Sequence, residues 1–357
     1  MKKVLVFSLF FFCWMNVCSA SVDTASQYVL MDETTGRVLA GKNYHTPMLI
    51  ASITKIMTCL LAVESGKLED IVVVDDVIKD SYGSGIYIEV GEEISLKDLL
   101  YGLMLRSGND AALMVAKYVG GSVEDFVKDM NRKAKEIGMT NTIFVNPSGL
   151  DNTDSGNYST AYDMALLTRY AMQYEEYQEI VKTKSYTVKT NKKTYVWKNK
   201  NKLLSEEYIT GGKTGYTEKA RRTLVSTASS DHMDLIVVTI KDSDDWNTHK
   251  SLYAYAFDNY VSYRVLNKRT FDVVGDTYYE GEFYIKNHVY LSFKKNELGN
   301  LIGKIKLEKK ENYKNGDRVG EYLIYLDKTL LYKEDIYIRK VKEKKNSSIF
   351  NRLEGVI

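Results

Sequence analysis

The order of apolar and polar positions along the chain predicts helices packed on an antiparallel sheet. YVLMD and GRVLA flank the turn ETTG, which predicts a β-hairpin over residues 28–40. Apolar residues then recur at helical spacing in several segments that end near Gly or a loop. The predicted helices cover residues 52–64, 96–106, 110–120, 123–139, 160–173 and 246–263. Before the last of these, TLVSTAS and MDLIVVTIK predict two strands that are joined by the turn SDH.

From about Arg264 the pattern changes to short alternating runs. HVYLSFK, LIGKIKLEK, EYLIYLD and DIYIRK alternate apolar and polar residues, with Gly and Asn between them, which is typical of strands. The sequence therefore predicts an α/β (α+β) fold. It consists of an antiparallel sheet flanked by helices over residues 21–263, followed by a small all-β domain over residues 264–340.

Both ends of the chain carry signals of their own. Residues 1–20 begin with two lysines, continue with an apolar run and end with small residues at Ala20, which is the layout of a secretory signal peptide. The competing interpretation, an uncleaved anchor, is disfavoured because the run is shorter than the ~20 apolar residues that a span needs. Residues 341–357 form a basic tail with apolar residues at the spacing of one helical face. Export is therefore expected, with attachment to an anionic membrane surface through the tail, unless the tail is a frayed terminus.

Composition excludes several classes of function. The chain has 357 residues, of which 44% are hydrophobic, so it can bury a sizeable core. A net charge of +2 argues against a nucleic-acid partner. After removal of residues 1–20, Cys59 is the only cysteine, so no internal disulfide can form. The four histidines are scattered, and CxxC and HExxH motifs are absent from the sequence, so we expect no metal site and no cofactor.

The stretch ASITKIMTCLLAVE places a hydroxyl and an amine on one face of an apolar helix. Ser52 and Lys55 are three residues apart and therefore lie one turn apart on the same side. One interpretation is an N-cap serine followed by a lysine whose ammonium reaches solvent. The other is that a neutral Lys55 removes the proton of Ser52. That chemistry requires lowering the lysine pKa by about three, which corresponds to about 4 kcal/mol and can come from burial and a nearby cation.

Two further motifs supply candidates for the rest of such a site. Lys213, Thr214 and Gly215 lie in the predicted strand hairpin TGGKTGYTEKARRTLV, where the glycines permit close approach of another backbone. Ser107 and Asn109 lie between two apolar helices, where a Gly C-cap followed by an N-cap is the structural alternative. Each motif has a structural explanation by itself, but the ordered set in an exported chain favours a catalytic site.

The set SxxK, SxN and KTG resembles the penicillin-binding protein and serine β-lactamase superfamily. The segments ASITKIMT, LLYGLMLRSGNDAALMVA, IGMTNTIFVNPSGLD, YSTAYDMA and GGKTGYTEKARRTLV look like those of the low-molecular-mass penicillin-binding proteins that are D-alanyl-D-alanine carboxypeptidases. The resemblance is dense over residues 25–262 and looser over the β-domain. Relatives often have a Pro immediately before the Ala of ASITK, whereas this chain has HTPMLI there, which affects the geometry of the Ser52 loop.

The resemblance implies a role for each residue of the first two motifs. Ser52 would be the nucleophile that attacks the carbonyl between the two terminal D-alanines of a peptidoglycan stem peptide. Lys55 would be the base, and Ser107 would relay a proton toward the leaving amine. Asn109 would hold the substrate amide and the head of Lys55. β-Lactam antibiotics would act as covalent inhibitors at the same serine.

The resemblance also implies how the third motif binds substrate. Lys213 and Thr214 would receive the terminal carboxylate, and Gly215 belongs to the same substrate-binding segment. The backbone N–H groups of Ser52 and Tyr216 would form the oxyanion hole. The strand that follows Lys213 would pair with the extended peptide.

Three competing functions share part of this pattern. A class A β-lactamase needs a glutamate on a loop between the second and third motifs, whereas NPSGLDNTDSGNYS contains aspartates and no glutamate. A transpeptidase would form the same acyl-enzyme and differ only in the acceptor. A non-catalytic wall-binding protein would not need the three motifs together. The sequence therefore predicts a serine-type D-Ala-D-Ala carboxypeptidase. The alternatives are a β-lactamase or transpeptidase of the same superfamily, or a non-catalytic cell-wall-binding protein.

Overall fold

The computed structural model describes residues 24–152 and 155–339, so the predicted signal peptide and the tail at 341–357 lie outside the described residues. Within these ranges, no helix is long and apolar enough to cross a membrane. The α-helices of the described residues are α1 (Lys55–Glu64), α2 (Leu96–Arg106), α3 (Asn109–Gly120), α4 (Val123–Ile137), α5 (Ala161–Ala171), α6 (Glu175–Lys182) and α7 (Asp245–Asn259).

The strands lie in two groups along the chain. Before α7 they are β1 (Ala25–Asp32), β2 (Val38–Lys42), β3 (Met48–Leu49), β4 (Ile71–Val73), β5 (Glu93–Ser95), β6 (Tyr158–Ser159), β7 (Ser185–Lys189), β8 (Thr194–Lys198), β9 (Ile209–Thr217), β10 (Arg221–Ser230) and β11 (Met233–Asp242). After α7 they are β12 (Val261–Leu266), β13 (Thr270–Phe271), β14 (Glu282–Tyr284), β15 (Val289–Phe293), β16 (Leu301–Leu307), β17 (Arg318–Leu326) and β18 (Thr329–Arg339).

The first group is built around a five-stranded antiparallel sheet with the order β2-β1-β11-β10-β9. Helices α1 to α6 cover one face of this sheet with a large apolar core, and α7 packs on the other face with a second core. Strand β11 is buried on both faces, which explains its nearly continuous apolar sequence. The predicted fold class, an antiparallel sheet flanked by helices, is confirmed.

The second group forms a smaller β structure with a core of its own. A five-stranded antiparallel sheet has the order β13-β14-β18-β17-β16, and β12 pairs with β15. The two parts of the chain meet at Arg37. Its guanidinium forms a 3.1 Å ion pair with Glu297 and lies 5.7 Å from the ring centre of Phe293.

Two features differ from the prediction. The helix predicted to end at residue 263 ends at Asn259, because Tyr260 is extended and Val261 already pairs with Phe293 in β15. Strand β12 therefore crosses the predicted domain boundary at residue 264. The pattern also missed α6, in which four of eight residues are charged, and the β7–β8 hairpin, whose strands have only five residues each.

Candidate active site

Ser52 lies in a short 3₁₀ turn, Ala51–Thr54, immediately before α1. The turn is entered through Ala51, which has a φ of 50°, a conformation that costs energy for a residue with a Cβ atom. Gly149 packs so closely that a Cβ atom there would collide with the Ala51 carbonyl. No side chain caps this turn, so the N-cap interpretation of Ser52 is wrong. The serine instead faces a cleft of about 290 Å³.

Lys55 is completely buried, so the interpretation that its ammonium reaches solvent is also wrong. Its Nζ lies 3.2 Å from Ser52 Oγ, 2.7 Å from Asn109 Oδ1 and 2.5 Å from the Ser148 carbonyl oxygen. A neutral amine has two N–H groups and one lone pair. Because the amide and carbonyl oxygens can only accept, they take both N–H groups, and the lone pair is left for the Ser52 hydroxyl.

The electrostatic environment favours this neutral form. The pKa of Lys55 is held well below its ordinary value of 10.5, mainly by burial and to a smaller extent by the positive charges of Lys213 and Lys200. The negative charge of Asp110 opposes this shift. These surroundings favour the neutral amine, which is the form of the side chain that can accept a proton as a base.

The loop between α2 and α3 holds the SxN motif against these groups. Ser107 has a left-handed conformation with a φ of 64°, while Gly108 is extended and precedes the first residue of α3, Asn109. The sequence suggested Gly108 as the C-cap of α2, but the left-handed C-cap residue is Ser107. Ser107 Oγ accepts a 3.0 Å hydrogen bond from Lys213 Nζ. Asn109 also donates from Nδ2 to the carbonyl of Tyr82 at 2.6 Å, so both ends of its amide are engaged.

The KTG motif lies in the middle of β9, at the edge of the central sheet. Lys213 is 1% exposed and also donates to the Thr214 carbonyl at 2.7 Å. Burial is the main cause that lowers the pKa of Lys213 to about 7, and the positive charge of Lys200 is the second. A Cβ atom at Gly215 would lie 3.0 Å from the Ser52 amide nitrogen, so only glycine lets this strand lie so close to the nucleophile turn.

The cleft in front of β9 joins the predicted residues to several that the sequence did not single out. Tyr216 is 58% exposed in this cleft. The lining consists of Ser52, Ser84, Ser107, Lys200, Thr214, Gly215, Tyr216, Arg222, Asp245 and Trp246. The structure thus brings the three motifs together at one site, with Lys55 and Asn109 behind Ser52.

Arg222, like Lys200, is a cation that lines the cleft outside the three motifs. It lies opposite Tyr216 in the β9–β10 ladder. Its guanidinium forms an ion pair with the buried carboxylate of Asp245 and lies 5.3 Å from the ring centre of Trp246. Sequence reasoning missed Arg222 because no motif contains it. Its position in the hairpin that begins with KTG was the only available signal.

A loop over residues 82–87 forms one wall of the site and was also missed. The Asn109 N–H donates to the Ser84 carbonyl at 2.8 Å, and the Asp110 carboxylate accepts from the N–H groups of Ile86 and Tyr87. Two residues at the start of α3 therefore fix this loop, and the buried Asp110 carboxylate is satisfied by the backbone N–H groups of the loop. Lys200 Nζ lies 3.4 Å from Ser84 Oγ, and both residues line the cleft.

No histidine is among the described residues that line this cleft. His249 of α7 is buried against β10 and β11, where its two ring nitrogens contact Ser226 and Thr239. Across residues 24–152 and 155–339, no group of three His, Cys, Asp or Glu side chains is arranged to hold a metal ion.

Comparison with known proteins gives a consistent result. The family model of Peptidase S11, D-alanyl-D-alanine carboxypeptidase, matches residues 16–244. The carboxypeptidase DacF of Bacillus subtilis is 39% identical over 221 residues, an alignment that covers 60% of this chain and 56% of DacF. The chain thus spans little more than half the length of that relative.

Solved structures show the same likeness. Penicillin-binding protein 5 from Haemophilus influenzae superposes with a TM-score of 0.71 at 26% identity, covering 89% of this chain and 97% of that one. A serine-to-alanine mutant of the Streptomyces K15 DD-transpeptidase superposes with a TM-score of 0.61 at 30% identity, covering 65% of this chain and 98% of that one.

Proposed function

Because the chain belongs to the Peptidase S11 family of D-alanyl-D-alanine carboxypeptidases, we propose that it is a serine-type enzyme that removes the terminal D-alanine from peptidoglycan stem peptides. The observation that carries the proposal is the 3.2 Å contact between Lys55 Nζ and Ser52 Oγ. The lysine is fully buried, and its pKa is lowered by that burial and by two neighbouring cations.

Acylation starts when Ser52 Oγ attacks the carbonyl carbon between the two terminal D-alanines. Lys55 takes the hydroxyl proton, and the N–H groups of Ser52 and Tyr216 stabilise the negative oxygen. The carbon–nitrogen bond then breaks, and the proton that Lys55 took passes through the Ser107 hydroxyl to the leaving amine, which returns Lys55 to its neutral form; Ser107 is held in place by its contact with Lys213. Water subsequently attacks the ester and restores the Ser52 hydroxyl.

The mouth of the cleft supports recognition of a free terminal carboxylate. Thr214 and Arg222 both line it, and the buried Lys213 contacts Ser107, which also lines it. We assign the carboxylate to Thr214 and these two cations. An arginine held in place by Asp245 presents its remaining N–H groups in a fixed orientation, which suits a planar carboxylate.

Deacylation separates this proposal from a β-lactamase. The segment 146–150 packs against the nucleophile turn, and there the Ser148 carbonyl engages Lys55. The segment contains no glutamate that could activate water. We therefore expect the adduct with a penicillin, which imitates the D-Ala-D-Ala bond, to persist.

Transpeptidation is the second candidate, favoured by the likeness to the Streptomyces K15 DD-transpeptidase. Both reactions pass through the same acyl-enzyme, and they differ in whether water or an amine receives the acyl group. Incubation of the purified protein with diacetyl-L-Lys-D-Ala-D-Ala, with and without an amine acceptor, separates them. Release of D-alanine without acceptor product supports the carboxypeptidase.

Labelled penicillin tests the nucleophile directly. Ser52→Ala should abolish covalent labelling, whereas the control Ser65→Ala, at the residue that follows the C-terminal end of α1, should label normally. Labelling of Ser52→Ala at the normal rate would show that another residue is the nucleophile.

The proposed place of action is outside the cytoplasmic membrane, with attachment to an anionic membrane surface through residues 341–357. The support is sequence alone: the signal-peptide pattern at residues 1–20 and the basic, apolar tail. Co-sedimentation with anionic vesicles, compared with a truncation after Ser348, tests the attachment. If both proteins stay in the supernatant at low salt, the tail does not anchor the chain.

A further inference from the structure

The β structure after α7 contains a second cleft whose lining is strongly basic. Its volume is about 580 Å³, larger than that of the cleft at Ser52, and within the range of about 300–1,000 Å³ that is typical of small-molecule sites. The lining consists of Lys268, Arg269, Thr270, Tyr284, Ile285, Lys286, Asn287 and Arg339. Four of these eight residues are cations and none is an acid, so we call this site the basic cleft.

The cations of the basic cleft come from distant parts of the sequence. Lys268 and Arg269 precede β13, Lys286 follows β14, and Arg339 ends β18. Strand β14 pairs with both β13 and β18, which brings the three segments together. The charge cluster is therefore a product of the sheet and not of a basic run in the sequence.

Aromatic rings position two of these cations without neutralising them. Lys286 Nζ lies 3.8 Å from the ring centre of Tyr337, and the guanidinium of Arg339 lies 5.4 Å from that of Tyr284. A cation–π contact restricts a side chain but leaves its full positive charge. All four cations are exposed, and among the described residues none of them forms a salt bridge, although Glu282 is the register partner of Arg339.

We propose that the basic cleft binds the phosphate headgroups of an anionic lipid bilayer, so that the β structure itself docks on the membrane. The inference rests on the proposed membrane attachment and adds a second contact to it. Arg339 belongs to the cleft, and the sequence continues from it into Lys340, Lys342, Lys344 and Lys345, and then into the apolar tail. In the sequence, a short basic segment therefore separates the cleft residue Arg339 from the apolar tail, and each of its cations would add to the attraction of an anionic surface.

Two observations favour a lipid surface over a soluble phosphate polymer. The tyrosines beside the cations have an apolar ring and a polar hydroxyl, a combination that is enriched at membrane interfaces. The apolar residues Ile349, Phe350 and Leu353 follow within a short length of chain, and a soluble polyanion would give them nothing to bury against. Lipid headgroups and soluble polymers both present phosphate groups, and the proposed ligand of the basic cleft is the phosphate of a lipid bilayer.

The test compares vesicle binding of full-length variants after signal-peptide removal. The cleft variant carries Lys268→Gln, Arg269→Gln, Lys286→Gln and Arg339→Gln. A matched control removes four exposed lysines of the same sheet that do not line the cleft: Lys304→Gln, Lys306→Gln, Lys328→Gln and Lys333→Gln. A third protein, Phe350→Ser with Leu353→Ser, weakens the tail without changing charge. Acylation by labelled penicillin reports folding and the enzyme activity separately.

With vesicles of ~30% phosphatidylglycerol in phosphatidylcholine, we expect the cleft variant to lose at least about tenfold in partition coefficient, and the control about twofold or less. The tail variant should keep residual binding that disappears when the cleft substitutions are added. Raising the salt should weaken the cleft-dependent part.

Several results would overturn the proposal. Equal binding of the cleft and control variants would show that only total charge matters. If the tail substitutions abolished binding and the cleft substitutions had no effect, the tail would be the anchor and the basic cleft would have no role in it. If the cleft substitutions weakened binding to soluble poly(glycerol phosphate) but not to vesicles, the cleft would recognise a polymer and the lipid assignment would be wrong.

Discussion

The exchange Asn109→Asp tests whether a neutral Lys55 is the base. Asn109 Oδ1 lies 2.7 Å from Lys55 Nζ, so the substitution places a carboxylate beside the amine with almost no change in shape. A negative charge at that distance stabilises the ammonium form and raises the pKa of Lys55. The base would then exist only at higher pH.

The size of the effect follows from the distance. At 2.7 Å and an effective dielectric constant of about 20, the Coulomb attraction is about 6 kcal/mol. This corresponds to a rise of about four in the pKa of Lys55. Desolvation of the new carboxylate opposes part of the gain, so we expect the pH profile to move by roughly two to four pH units. Acylation near pH 7 should fall by about a hundredfold or more and recover as the pH is raised.

The assay is the second-order rate of acylation by labelled penicillin between about pH 5 and pH 10. Asn109→Ala serves as the control, because it removes the same hydrogen bonds, including the one to the Tyr82 carbonyl, without adding charge. That variant should acylate more slowly without an alkaline shift. If Asn109→Asp kept the wild-type profile, or lost activity equally at every pH, the neutral-lysine mechanism would be refuted.

Three further predictions concern charges in and around the site. Lys55→Arg should nearly abolish acylation because arginine stays protonated, whereas Lys213→Arg should keep part of it because the cation remains; equal losses would contradict the division of roles. Arg222→Gln should raise KM for a D-Ala-D-Ala peptide about tenfold with little effect on kcat, and should leave hydrolysis of the same peptide with an amidated C-terminus unchanged. Burial lowers the pKa of His249 from 6.5 to about 3. Between these two pH values, the unfolded chain binds a proton at His249 that the folded protein does not bind. Stability should therefore fall as the pH drops from about 6.5 toward 3, and a variant with His249→Gln should show a flatter dependence in thermal unfolding.

The local part of this architecture could be predicted from the sequence. The β1–β2 hairpin and helices α2, α3, α4 and α5 follow from apolar periodicity and turn residues, and their bounds differ from the prediction by a few residues. The contact between Ser52 and Lys55 is equally local, since residues three apart in a helical turn share a face. Element ends were less predictable. Val261 continues an apolar, tyrosine-rich helix pattern, yet pairing with β15 makes it a strand.

The chemistry of the site depended on distances that the sequence does not contain. Lys55 meets Asn109 and the Ser148 carbonyl across long stretches of chain, and these contacts take up its two N–H groups. Complete burial, which the fold alone provides, then disfavours the ammonium form.

Residue type thus determined which groups were available for catalysis and binding, because hydroxyl, amine and guanidinium chemistry is intrinsic to the side chain. Packing determined their charge states and neighbours. It brought Lys213 to Ser107, set Arg222 beside Asp245, and joined Lys268, Lys286 and Arg339 across paired strands. Burial and proximity depend on how distant segments pack, so only the tertiary structure could decide them.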